Sequence, residues 1–108
     1  MSDVFKAIAD PTRRQILMSL AKRPENVNAI SEKFDMSRPA VSKHIKILTE
    51  SNLVRVETDS VDTRQRNCYA ELEALQEVSE YLKRLEEFWN KKLDGLELFL
   101  KNQSKKTR

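Results

Sequence analysis

"DMSRPAVSKHIK", residues 35–46, sets a proline among three positive charges and has no negative charge after Asp35. Whether this stretch is loop, broken helix or helix start decides the fold. Ser37 is a good N-cap, because its hydroxyl can accept from a first-turn N–H. That cap places Pro39 at the second helical position, where the N–H that proline lacks has no helical partner anyway. The spacing therefore predicts a helix that starts after Ser37. Val41, Ile45 and Leu48, at i, i+4 and i+7, form its inner stripe. Arg38, Ser42, Lys43 and Lys46 lie around that stripe and face outward. Asn52 tolerates left-handed backbone and is the expected stop.

Upstream, "DPTRRQILMSLAKR" (10–23) reads as a helix with Asp10 as N-cap and Pro11 at its first position. Ile16, Leu17 and Leu20 give it one buried face, and Pro24 ends it. "SDVFKAIAD" before it places Val4, Phe5 and Ile8 on a short amphipathic helix. "NVNAISEKFDMS" (26–37) predicts a third short helix, capped by Asn28, with Ile30 and Phe34 on one face. Downstream, "LVRVET" (53–58) and "RQRNCYA" (64–70) predict two short strands, since Val54 and Val56 alternate with Arg55 and Glu57. "DSVDT" between them is a polar hairpin tip. From about residue 72 to 101, apolar residues recur every three or four positions, which predicts a long helix. A break near Gln76–Val78, or a bend at Gly95, is open. "NQSKKTR" (102–108) is expected to be a basic, disordered, solvated tail.

The fold class expected is mainly α, a winged helix-turn-helix with a two-stranded β wing and a long C-terminal dimerisation helix. Residues 1–101 form one domain, with the helix-turn-helix at about 28–51, the wing at about 54–70 and the C-terminal helix at about 72–101. One glycine in 108 residues excludes Gly-rich phosphate loops. No apolar run approaches membrane-span length and "MSDVFKAIAD" lacks a signal-like stretch, so a cytoplasmic protein without membrane insertion is expected. One cysteine, Cys68, and one histidine, His44, make a poor start for a zinc site. No metal, cofactor or catalytic constellation is expected.

Net charge is +3, but its distribution says more. Residues 37–49 hold three basic and no acidic side chains, whereas 71–100 hold four basic against eight acidic. Two short helices joined by a tight turn, the second exposing cations and hydroxyls, make a helix-turn-helix. An outer face free of carboxylates suits the phosphates that flank a DNA groove. The candidate DNA-binding residues are Ser37, Arg38, Pro39, Ser42, Lys43, His44 and Lys46, with Arg64 and Arg66 from the wing. The partner is a double-stranded DNA operator. His44 has a second reading, packing on the flank of the helix toward Ile45 and Ile47. Cys68 reads as a small packing residue in a strand before it reads as a redox sensor. Phe5, Leu82, Leu85, Phe88, Trp89, Leu93 and Leu96 are the candidate homodimer interface, because a long helix with this much apolar surface does not stay alone.

"FKAIADPTRRQIL" (5–17), "NAISEKFDMSRPAVSKHIKILTESNLV" (28–54) and the wing ending in "CYAEL" together resemble the ArsR/SmtB superfamily of winged-helix repressors. The C-terminal "EEFWNKKLDGLELFL" is similar to its metal-independent, SdpR-like branch. The resemblance implies a homodimeric repressor that blocks transcription at an operator. It implies that Ser37, Arg38, Ser42 and Lys43 approach bases and that the wing arginines approach the backbone. It also suggests autoregulation and admits a protein anti-repressor as partner. The chain departs from the family where Asn52 replaces a frequent glycine. The wing tip has no glycine and brings in Asp59 and Asp62, which should weaken contact with phosphate. A protein-interaction module and a ligand- or redox-responsive regulator are the rival readings.

Overall fold

A computed structural model describes residues 3–106 of the chain. Its elements, in order, are α1 (Val4–Ala9), α2 (Pro11–Lys22), β1 (Glu25–Asn26), α3 (Val27–Lys33), α4 (Arg38–Glu50), β2 (Val54–Thr58), β3 (Arg66–Ala70), a 3₁₀ turn (Leu72–Ala74) and α5 (Leu75–Lys106). The chain divides into two compact units, one up to Glu77 and one from Val78 on.

The first unit is built around caps. Asp3 accepts from the Lys6 N–H at the start of α1, and Asp10 accepts from Thr12 and Arg13 at the start of α2, where Pro11 holds the first position. Ser37 caps α4 through the Ala40 N–H, with Pro39 inside the first turn. The α3 cap is Asn26 rather than Asn28: the Asn26 side chain accepts from the Ala29 N–H, so the helix begins at Val27. Both asparagines are competent caps, and only the pairing of β1 selects between them. Asn52 takes φ 62° beyond the end of α4, and Asp35 takes φ 51° in the turn between α3 and α4. Asparagine and aspartate bear left-handed backbone better than most residues, so these turns do without glycine.

The core of this unit joins Ile16, Leu17 and Leu20 of α2 to Ile30 of α3 and to Val41, Ile45 and Leu48 of α4, with Leu53, Val54 and Cys68 beneath them. Each buried aliphatic side chain contributes about 1.5–3 kcal/mol of transfer free energy. The wing is larger than two strands. β3 lies in the middle of an antiparallel sheet of order β1-β3-β2. Val56 of β2 pairs with Cys68 across one edge of β3, and Glu25 of β1 pairs with it across the other. Two residues of β1 give too short a period to be read in sequence. The pairing ties the wing to the start of α3.

Arg13 and Arg14 have a structural task. Arg13 donates to the Ala7 and Lys6 carbonyls, and Arg14 to those of Ile8 and Ala9. These are the orphan carbonyls at the end of α1, which a cation there satisfies. A second polar cluster joins α2, β1 and α3. Ser19 donates to Glu25 at 2.8 Å, and Lys33 donates to Ser19 and pairs with Glu25 at 3.2 Å.

In the second unit, α5 runs without interruption, so no break appears at Gln76–Val78. It also continues to Lys106, where a disordered tail was expected from 102. Thr107 and Arg108 lie outside the described residues. Leu82, Leu85, Trp89, Leu93 and Leu96 stay exposed along it.

Candidate nucleic-acid interface

The cationic face begins with the local chemistry of α4. Its first turn carries no acidic side chain. Ser37, Arg38, Pro39, Ser42, Lys43 and Lys46 are all exposed, while Val41, Ile45 and Leu48 are buried. The free N–H groups of the first turn add the positive end of the helix dipole. Arg38, Ser42 and Lys46, spaced by four, follow one line of the helix on the side of the wing. Lys43 lies outward of that line.

The structure brings Arg38 and the wing arginines together. Arg38, Pro39 and Ser42 line one cleft of about 520 Å³ with Asn26, Val27, Asn28, Arg64, Gln65 and Arg66. The lining includes three guanidinium groups and no carboxylate. Arg38 Nη1 donates to Asn28 Oδ1 at 3.3 Å, which turns the side chain toward α3. Asn26 closes the base of the cleft, since its Nδ2 donates to Gln65 Oε1 at 3.0 Å while its Oδ1 caps α3. One asparagine thus fixes the distance between helix-turn-helix and wing. Lys46 lines a neighbouring groove with Ser42, Ile45, Glu50, Val56 and Arg66.

The acids of the wing tip are used internally. Asp59 accepts from the N–H groups of Val61 and Asp62 and from the Asn67 amide. These bonds hold its carboxyl below the usual carboxylate range. Asp62 accepts from the Arg64 N–H and pairs with Arg64 Nε at 3.2 Å. Two aspartates therefore build a turn that glycine would otherwise permit. Arg64 is exposed but shares its charge with Asp62. Arg66 is exposed and has no ion pair among the described residues.

His44 is set apart from this face. It is half-buried on the opposite flank of α4, with Nδ1 3.4 Å from Arg13 Nη1 of α2. Its neighbour is thus an α2 arginine, a contact that its sequence neighbours Ile45 and Ile47 do not reveal. Cys68 is fully buried in the central strand, and burial pushes its thiol up to about 11. That is the reverse of what a sensing thiol needs.

Asn26, Asn28 and Gln65 were absent from the sequence-derived set. They carry no charge, and Gln65 stands nearly forty residues from the two asparagines, so only the contacts Asn26–Gln65 and Arg38–Asn28 show their role. On another side of this unit, Asp3, Glu50, Glu71, Glu73 and Glu77 line an acidic cleft around Arg55, which is paired with Glu57 and Glu71. The cleft lined by arginines and free of carboxylate therefore lies on the α4–wing side, apart from this acidic one. Among the described residues no metal-holding cluster occurs, and no helix is long and apolar enough to cross a membrane.

Residues 10–56 match the family model described as bacterial regulatory protein, arsR family. The chain is similar to the transcriptional repressor SdpR of Bacillus subtilis (strain 168), at 43% identity over 54 residues, 50% of this chain and 60% of that protein. The chain thus spans less than two thirds of that relative's length. An HTH-type transcriptional regulator of Methanocaldococcus jannaschii is 31% identical over 70 residues, 62% of this chain and 74% of that one. A crystal structure of an ArsR family transcriptional regulator superposes with a TM-score of 0.71 at 36% identity, covering 80% of this chain and 86% of the other. These relatives are named as regulators of transcription.

Proposed function

The chain belongs to the ArsR family of bacterial regulatory proteins, and from that premise we propose that it is a homodimeric repressor that binds a double-stranded DNA operator. The observation that carries this reading is the exposed face at the start of α4, rich in donors and free of acid up to Lys46, continuous with the arginines of the wing. α4 enters the major groove and the wing lies along the adjoining backbone. Ser37, Arg38, Pro39, Ser42, Lys43 and Lys46 meet DNA from α4, Arg64 and Arg66 from the wing. His44, beside Arg13 on the other flank of α4, is not among these contacts.

The homodimer rests on Phe5 and on the stripe Leu82, Leu85, Phe88, Trp89, Leu93 and Leu96, which is exposed in the single chain. A two-fold axis sets two recognition helices about 34 Å apart, one turn of DNA. Control of its own promoter, relieved by a protein anti-repressor, belongs to the same reading. Selection from random duplex DNA, followed by sequencing, tests it. The expected result is a palindrome with half-sites about one turn apart. No enrichment at low salt refutes operator binding. A gel shift with the chain's own promoter tests autorepression.

A further inference from the structure

We propose that the cleft between the start of α4 and the wing is a phosphodiester clamp, in which Arg38 and Arg66 hold the DNA strand and Arg38 reads no base. This rests on the duplex-binding reading above. When a helix occupies the major groove and a hairpin lies toward the minor groove beside it, one sugar-phosphate strand passes between them. The space between α4 and the wing is the cleft lined by Arg38, Arg64 and Arg66 with no carboxylate. Phosphate is the DNA component that asks for several guanidinium groups at once, since their planar forks match its oxygens.

Three observations place Arg38 on the strand. It lines this cleft, whereas Lys43 does not. Its Nη1 is held to Asn28 Oδ1 at 3.3 Å, on the α3 side of the groove-facing surface. Only one of the five guanidinium N–H groups is spent in that bond, which leaves the rest for an oxyanion. The opposite wall is fixed by the Asn26–Gln65 bond, so the width of the cleft is built before DNA arrives. Arg66 stands on that wall without an ion pair among the described residues, while Arg64 is drawn to Asp62.

The experiment uses the full chain and the duplex obtained by selection, alongside a scrambled duplex. Affinities are measured over a salt series for the wild type, Arg38→Ala, Arg66→Ala and Lys43→Ala. Arg38→Ala and Arg66→Ala are expected to weaken both duplexes by the same factor. Each should flatten the log–log salt slope by about 0.9 per protomer, about 1.8 for the dimer on its duplex. Lys43→Ala is expected to weaken the selected duplex more than the scrambled one. Neutral methylphosphonates are then placed singly along the selected duplex. One position should cost the wild type affinity and cost Arg38→Ala and Arg66→Ala much less.

Relaxed preference at one base pair in Arg38→Ala overturns the proposal, as does a scan with no position common to Arg38 and Arg66. Failure of the wild type to bind any duplex refutes the repressor reading. In that case inorganic phosphate is titrated against the arginine Nε–H resonances. Shifts of Arg38 and Arg66 together would assign the cleft to a free oxyanion in place of DNA, and no shift overturns the phosphate site altogether.

Discussion

In α4 the stripe Val41, Ile45 and Leu48 is between 0% and 5% exposed, whereas in α5 Leu82, Leu85, Trp89, Leu93 and Leu96 are between 46% and 59% exposed. Both helices space their apolar residues by three and four, and both are amphipathic. The stripe of α4 is covered by α2, α3 and the sheet. That of α5 offers a continuous apolar surface to something else. Periodicity thus states that a face will be covered, and says nothing about whether the cover comes from the same chain.

The sharpest way to break this contrast is to charge the α5 stripe. Trp89→Glu with Leu93→Glu should convert a dimer to a monomer in sedimentation velocity and lower operator affinity by more than about a hundredfold, because two half-sites are no longer held together. A variant that stays dimeric would show that the stripe is not the dimer seam. Next in size, Leu48→Ala should cost about 2–5 kcal/mol in unfolding while leaving the dimer dissociation constant unchanged. If the stripe is the seam between chains, Leu96→Ala should instead raise that dissociation constant. Equal dissociation constants in the two variants would erase the distinction between the helices.

Smaller effects belong to the caps and to pH. Asp10→Ala should cost about 1 kcal/mol in urea unfolding. Burial raises the Asp10 pKa, but the N–H groups of Arg13 and Thr12 and the Arg13 and His44 charges outweigh it, so the carboxyl sits below 3.8. At Glu25 burial likewise opposes the Ser19 and Lys33 hydrogen bonds, and the net value lies below 4.5. A depressed carboxylate stabilises the fold above its unfolded pKa. That stabilisation is lost as pH falls through the folded value. Glu25→Gln should therefore flatten the decline in stability below about pH 4.5, and an unchanged decline would discount the Ser19–Glu25–Lys33 cluster.

Cys68 has the opposite sign. Its folded pKa, about 11, lies above 9.0, so the buried neutral thiol stabilises the fold below pH 9 and that contribution fades as pH rises toward 11. Cys68→Ala should flatten the alkaline limb. The wild-type thiol should react with a disulfide reagent only at the rate of unfolding. Fast reaction in the folded state would restore the redox-sensing reading.

Much of the fold was legible because its signals are local. Ser37 with Pro39, and Asp10 with Pro11, announce helix starts through groups no more than three residues apart. The outer face of α4 was legible for the same reason, since a helix converts spacing directly into a face. Less legible was β1, whose two residues pair with a strand some forty positions on. The cap at Asn26 depends on that pairing. The reach of α5 to Lys106 was also missed, because polar residues at a helix end look the same whether the helix continues or stops.

Local chemistry in the chain settled which segments are helices, which side of each is apolar, and that the acid-free surface belongs to the start of α4. Those properties depend on neighbours within a turn or two. Folding in three dimensions settled where the arginines meet. Arg38, Arg64 and Arg66 share one cleft because Asn26 ties α3 to Gln65 of the wing, and Arg13 caps α1 and meets His44. A cation's task depends on which carbonyl, carboxylate or open cleft lies within about 3 Å of it. That distance is set by pairing across the chain, which no spacing in the sequence encodes.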